Sequence, residues 1–315
     1  MRVVGLGGGL GASRLRRAPA AVVEEPSLTL VVNTAGDLWI HGVRVCPGLD
    51  TTLYALSGRQ DADRGWGVRG ESRRCTTALR GLGEDVWSDL GDLDLSTHLR
   101  RTGLLRAGAR PTSVTAAPAA AMGVTARVLP MTEAEVATRV TTDDGVDLHC
   151  EEFLVRHHAA VPVRGVRYER SAGTGAPGAR RDRRRRRGRA RAEQPDREPG
   201  PDPGTARRPR CSARGGRPHG GGPPDRVRGP DHRPGERKRA DSRAALLAAA
   251  GLPATASGVA GLYAGLCERF VLDTADAAEA GDVAAHGPTP ILAPTLLHGG
   301  APPATLVDTV LGVPT

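Results

Sequence analysis

From Gly173 to Arg243 the chain runs for 71 residues without a single Leu, Ile, Met, Phe, Tyr or Trp. It holds instead 21 Arg, 13 Gly and 11 Pro. Such a stretch has almost no apolar surface to set against the entropy of ordering it, so it cannot build a packed core. The segment is predicted to be disordered or non-native over about 175–240. Whatever folds is then assembled from residues 1–172 and 244–315, two parts of one domain separated by the segment. The segment also decides how the charge is read. A net charge of +9 suggests a polyanionic partner. Yet the segment alone carries 22 Lys and Arg against 9 Asp and Glu, which leaves 22 against 26 for the rest. The folding part is mildly acidic. The stretch "GARRDRRRRRGRARAEQPDREPG" at 178–200 could be a nucleic-acid arm, but it has no aromatic residue on which a base could stack.

Around the segment the pattern is α/β. "RVVGL" is a short β-branched run that ends in glycines, and "LTLVVN" is a second strand without polar alternation, as in a parallel sheet covered on both faces. "GLGGGLGASRLRR" between them reads as a glycine-rich loop opening a helix. "DTTLYALSG" reads as a helix capped by Asp50, and "STHLRRTGLLRAG" as an amphipathic helix with Leu99, Leu104 and Leu105 inward. "VTARVLPM" and "RFVLDT" are further strands, and "ATRVTTDDGVDLHCEEFLVRH" is a hairpin turned at "DDG". The five cysteines form no C-x-x-C pair and read as reduced thiols. No leader and no apolar run of membrane-spanning length is evident, so a cytoplasmic chain without membrane contact is expected.

The glycine loop from Gly5 to Ser13 can bring backbone N–H groups up to a phosphate. A nicotinamide dinucleotide fold would place an acid at the end of the next strand, where this chain has Asn33 and Thr34, and that counts against an NAD-type oxidoreductase. Loop carboxylates follow: Asp37, Asp50, Asp61, Asp63, Asp92 and Asp94. At the edge of a parallel sheet they suit Mg²⁺ or a general base, although each could be only a cap or a turn. Trp39, Trp66 and Trp87 lie nearby and could stack on a planar ligand or simply pack.

In order and spacing, "GLGGGLGASRL", "VVNTAGDLWIHGVRVCPGLDTTLYALSG", "DADRGWGVRGES", "LGDLDLSTHLRRTGLLRAG" and "RVLPMTE" resemble the 2-phospho-L-lactate transferase family of deazaflavin coenzyme F-420 biosynthesis. The resemblance implies a Rossmann-like, mostly parallel sheet flanked by helices, with a smaller appended subdomain. It implies Mg²⁺ and a guanosine-diphosphate-activated three-carbon acid. The phospholactyl-type or phosphoenolpyruvyl part of that donor passes to the ribityl hydroxyl of the deazaflavin precursor FO, and GMP leaves. By the same resemblance Gly7, Gly8, Gly9, Gly11 and Ala12 line a phosphate-facing loop, with Asn33, Thr34 and Asp37 beside it. Asp50 contacts FO, the metal or the attacking hydroxyl, so Asp37 and Asp50 are the candidate catalytic and metal-holding residues. Trp66, Gly91, Asp92 and His98 fall in further ligand-facing stretches. Small-molecule substrates, no nucleic acid and a homodimer are the partner expectations.

The chain departs from the family pattern at Gly48 and Leu93, where an acid and an arginine are usual, and at Ala134, where a carboxylate is lost. The largest departure is that a strand and loop like "VLAPSNPIVSIGPIL", and another like "VSPIIGG", belong where the Arg/Pro/Gly segment stands. Back-translating Arg189–Glu198, "RARAEQPDRE", and moving one base along permits Val-Leu-Ala-Pro-Ser-Asn-Pro-Ile-Val-Ser. Residues from about 175 to 240 therefore read as an out-of-frame translation, and the chain as written is expected to lack a strand and to be inactive or nearly so.

Overall fold

The computed structural model describes residues 3–8, 27–170, 211–212, 244–295 and 306. Gly9, Gly11 and Ala12, and the helix expected after them, lie outside the described residues.

Three strands form a parallel sheet in the order β1-β2-β5: β1 (Val3–Gly7), β2 (Leu28–Val32) and β5 (Arg127–Pro130). Val3 stands beside Leu28, and Thr29 beside Arg127. One face of this sheet is buried, with Leu28, Leu30 and Val32 at 0–1% exposure. Cover is less on the other face, and the helix expected after the glycine loop lies outside the described residues. On the other face Val4 and Leu6 are 61% and 65% exposed, and their strand neighbours Thr29 and Val31 are only half-buried.

Between β2 and β5 the chain builds the hairpin β3 (Leu38–Ile40) and β4 (Val43–Val45). Four helices follow: α1 (Pro47–Leu56), α2 (Arg74–Gly81), α3 (Asp92–Arg106) and α4 (Pro111–Ala121). Helix α1 and the C-terminal part of α4 close over the buried sheet face through Val32, Cys46, Leu49, Leu53, Ala119 and Val128. Proline opens both α1 and α4, where a missing N–H costs nothing. Asp50 is therefore not the cap expected from sequence: Cys46 takes that place, and Asp50 lies inside the first turn.

An antiparallel sheet, β7-β6-β8, adds the smaller layer: β6 (Val136–Thr142), β7 (Asp147–His149) and β8 (Val163–Arg170). The expected hairpin is β6–β7, and its turn uses Gly145 at φ 84°, a conformation that favours glycine. Leu246, in the helical stretch 244–249, packs on the Val140, Leu148 and Phe153 core of this layer.

A second parallel set, β9 (Cys211–Ser212), β10 (Arg269–Asp273) and β11 (Thr289–Ala293), has the order β11-β10-β9. Helices α5 (Ala256–Gly261) and α6 (Ala280–Ala285) pack on it around Phe270, Leu272 and Val283. Strand β9 corrects the expectation of disorder throughout 175–240 at two residues. Backbone pairing needs no apolar pattern, and the free edge of β10 offers N–H and C=O groups to any chain passing alongside.

Candidate functional site

Helix α3 carries the centre of the site, because its buried stripe is polar. Asp94, Thr97, His98, Arg101 and Thr102 recur at helical spacing and are all buried, whereas Leu99 is 57% exposed. This reverses the expectation that Leu99 points inward; Leu104 and Leu105 are half-buried. Burying that much polarity is tolerable only if each group finds a partner. Arg101 forks both side-chain oxygens of Asp50, one of them at 3.1 Å, and donates to the Arg44 carbonyl at 3.3 Å. The same guanidinium lies 3.1 Å from His98 Nδ1. Arginine has only donors, so Nδ1 accepts and the His98 proton sits on Nε2, 3.3 Å from Asp94 Oδ1. Tyr54 of α1 donates to that same oxygen at 2.7 Å. Burial opposes ionisation of Asp94, but the His98 imidazole beside it and the Tyr54 hydrogen bond outweigh it and hold its pKa below the ordinary carboxylate value. Burial also opposes charge on Arg101, and the Asp50 carboxylate reverses that, raising its pKa.

Asp37, just ahead of β3, differs. It is 6% exposed, and burial pushes its pKa up to about 7, against the opposing pull of the Cys46 thiol, Arg44 and Arg101. Its Oδ1 is buried without a hydrogen-bond partner, as is Thr34 Oγ1. Both residues line a small cavity of ≈ 60 Å³ whose wall also includes Arg44, Arg101, Thr115 and Thr132. Arg101 lines it and Asp50 does not. Arg44 is tied to Glu135 at 3.5 Å and lies over Trp39 at 5.7 Å. Trp39 Nε1 also donates to Glu135, at 3.0 Å, so this indole is committed to packing.

The other glycine-loop and sheet-edge residues frame the same end of the sheet. Gly7 has φ 148°, and a Cβ on Gly8 would come within 2.8 Å of Asn33 Cβ, so both positions need glycine. Asn33 is exposed, and its Oδ1 accepts from Ala35 N at 2.9 Å in a local turn.

A neighbouring cluster forms around Glu71, which ion-pairs with Arg64 at 3.0 Å and Arg73 at 3.1 Å and accepts from Asp94 N. Trp66 is 41% exposed with Arg64 5.0 Å from its ring centre. A Cβ on Gly91 would fall 1.9 Å from Glu71, which explains the glycine at the start of α3. Asp92 accepts from Ser72 N and Oγ at 2.7 and 2.9 Å and ties the α3 start to this loop. Asp61 makes a turn by accepting from the N–H groups of Asp63 and Arg64.

The family model of 2-phospho-L-lactate transferase CofD matches residues 3–182, which include every part of this site. The chain belongs to that family. It is 38% identical over 159 residues to the 2-phospho-L-lactate transferase of Methanocorpusculum labreanum, covering 50% of this chain and 52% of the relative. It is 38% identical over 183 residues to the phosphoenolpyruvate transferase of Mycolicibacterium smegmatis, covering 53% and 56%. The chain thus spans about half the length of the curated relatives it matches. A solved protein of the UPF0052 family from Bacillus halodurans aligns at 15% identity and TM-score 0.33 over 53% of this chain and 51% of that one.

Within the CofD family frame, the departure at Leu93 is a 46% exposed side chain, so the missing arginine leaves no buried gap. Gly48 lets the first turn of α1 close on β2: a Cβ there would stand 2.7 Å from the Asn33 carbonyl oxygen. Tyr54, Arg101 and Glu151 carry no role in the sequence pattern and emerge only in the structure. The polar stripe at 94, 97, 98, 101 and 102 was the available signal for Arg101. Glu151 follows β7 and comes within 3.0 Å of a Cβ placed on Gly36; burial and the nearby Asp37 raise its pKa to about 7. No local pattern announces that long-range meeting.

Proposed function

We propose that the chain is a transferase that moves a phospholactyl-type or phosphoenolpyruvyl group from a guanosine-diphosphate-activated donor to the ribityl hydroxyl of FO. The hydroxyl oxygen attacks the phosphorus that bears the three-carbon acid, the bond from that phosphorus to the GMP oxygen breaks, and GMP leaves. The hydroxyl proton passes to a carboxylate. The observation that carries this reading is Asp37: a buried carboxylate with an unpartnered oxygen, facing a cavity beside two guanidinium groups. A pKa raised to about 7 by burial suits a general base working near neutral pH.

Phosphoryl transfer relies on positioning and charge neutralisation more than on a covalent nucleophile. Arg44 and Arg101 supply positive charge at the cavity wall, and Gly7 and Gly8 allow backbone to come close at the β1 end. Trp66 offers an exposed ring for a planar acceptor, with Gly91, Asp92 and His98 holding the adjoining α3 in place.

Mg²⁺ fits Asp37, whose Oδ1 lacks a partner that a cation would provide. Asp50 is the second carboxylate for that ion or for FO, and it reaches either only by sharing its oxygens with Arg101. When bound, the ion would neutralise the donor's diphosphate oxygens.

Titration of the protein with FO, GDP and NAD, followed by tryptophan fluorescence, tests the reading. FO or GDP is expected to bind in preference to NAD. Preferential NAD binding would overturn it and return the fold to the dinucleotide oxidoreductases.

A further inference from the structure

Trp66 stands on a loop built around one buried carboxylate. Glu71 follows it in the chain, and its side chain is 0% exposed. Its Oε1 pairs with Arg64 at 3.0 Å and with Arg73 at 3.1 Å, and its Oε2 accepts from Asp94 N, in the first turn of α3, at 3.3 Å. A Cβ on Gly67 or on Gly91 would collide with one of the two oxygens, so both glycines leave room for this carboxylate. The guanidiniums it holds are the ones beside the indole. Arg64 Cζ lies 5.0 Å and Arg73 Cζ 5.8 Å from the centre of the Trp66 ring. One buried side chain thus joins the exposed ring, through its two cationic neighbours, to helix α3.

We propose that Glu71 is the positioning residue of Trp66: by fixing Arg64 and Arg73 beside the indole, and the loop against α3, it holds the ring ready for a planar acceptor. This rests on the reading of Trp66 as the ring that meets FO. A tryptophan 41% exposed on a loop is free to change rotamer unless something orders it, and ordering it only on binding costs affinity. Guanidiniums within about 6 Å of an indole are attracted to its face. They restrain the ring only if they are themselves held, and a buried carboxylate holds them more firmly than an exposed one, because water screens it less. The arginines do not form a vacant anion site. Arg64 also pairs with Asp61 at 3.0 Å, and Arg73 with Asp89 at 3.0 Å. With Arg80 on Asp89 as well, three guanidiniums face three carboxylates. Because its side chain is fully buried, Glu71 acts through the arginines and not on the acceptor.

The test is FO binding to the full chain, measured by calorimetry and independent of turnover. Glu71→Gln keeps the size and an oxygen for Asp94 N, removes the charge, and leaves Arg64 with Asp61 and Arg73 with Asp89. It is expected to weaken FO binding about fivefold, the cost of ordering a freed ring on binding. Trp66→Leu removes the stacking surface and is expected to cost about tenfold or more. The variant carrying both changes is expected to bind within about twofold of Trp66→Leu alone, because a residue that acts through the ring has no effect once the ring is gone. A contribution to folding alone would not cancel in this way. Arg64→Gln withdraws the nearer guanidinium, leaves Glu71 paired with Arg73, and is expected to cost about threefold, again only while Trp66 is present. It remains informative if Glu71→Gln does not fold. Unchanged affinity in both Glu71→Gln and Arg64→Gln, or losses that simply add to that of Trp66→Leu, would overturn the proposal and leave the FO reading standing. If Trp66→Leu binds FO as the unchanged protein does, or the unchanged protein binds none, both fall.

Discussion

Helix α3 and strand β1 carry the wrong kind of surface for their places, in opposite senses. The buried stripe of α3 is polar, and its charged groups are answered by Asp50, Tyr54, the Arg44 carbonyl and one another. Strand β1 is apolar, yet Val4 and Leu6 face outward at 61% and 65% exposure, and among the described residues its one strand partner is β2. The polar network is assembled within residues 44–102, and His98 Nε2, 3.3 Å from Asp94, is its one buried side-chain atom among the described residues without a hydrogen-bond partner. The apolar strand waits for cover that nothing among the described residues supplies. A central strand of a doubly wound sheet normally has neighbours on both sides. Here the parallel strands form two separate sets, β1-β2-β5 and β11-β10-β9. The difference teaches that a network held by local helix geometry is assembled within one short span of chain, whereas a sheet is built from distant segments.

Replacing residues 175–240 by the one-base-offset translation should have the largest effect on this contrast. It should cover β1, raise the unfolding midpoint by about 10 °C, or roughly 5 kcal/mol, and sharpen the transition. A melt identical to that of the present chain would break the comparison on the β1 side.

On the α3 side, Arg101→Met should cost about 4 kcal/mol in denaturant unfolding, because it leaves Asp50 buried and unpaired. A cost under about 1 kcal/mol would mean that Asp50 is not left unpaired.

Asp37 gives a pH signature. Its folded pKa, about 7, lies above the ordinary carboxylate value of 3.8, so the folded state holds its proton where the unfolded state has lost it. Stability should therefore fall as pH rises from about 4 to about 7, by up to roughly 4 kcal/mol, and stay level above. Glu151, also raised to about 7, acts in the same direction. Asp37→Asn should flatten most of that slope; an unchanged slope in the variant would show that Asp37 is not its source.

The smallest of these effects should come from Tyr54→Phe, which removes one of two donors to Asp94 and should cost about 1.5 kcal/mol. The loss should be larger at neutral pH, where Asp94 is ionised, than in acid below the ordinary carboxylate range, where it takes up its own proton.

Much of this was legible beforehand. The strands β2, β5 and β10 and the β6–β7 hairpin follow from apolar runs and from Asp-Asp-Gly turn chemistry, both local signals. Asn33, Asp37 and Asp50 stood out through the family resemblance of the stretch that holds them, and Asp37 and Asp50 are both buried. What failed had a common physical cause. Leu99 was placed inward because helices normally bury their leucines, but in α3 the paired charges take the interior instead. Asp50 was read as a cap because it precedes a helical run, whereas Pro47 starts the helix three residues earlier. The Gly36 approach to Glu151 spans more than a hundred residues and leaves no trace in local pattern.

FO-dependent GMP release, measured in parallel for the chain as written and for the frame-restored chain, tests the whole account most directly. The account predicts turnover in the restored chain and little or none in the chain as written. Equal turnover in both would show that the segment is not a fault, and none in either would contradict the transferase reading itself.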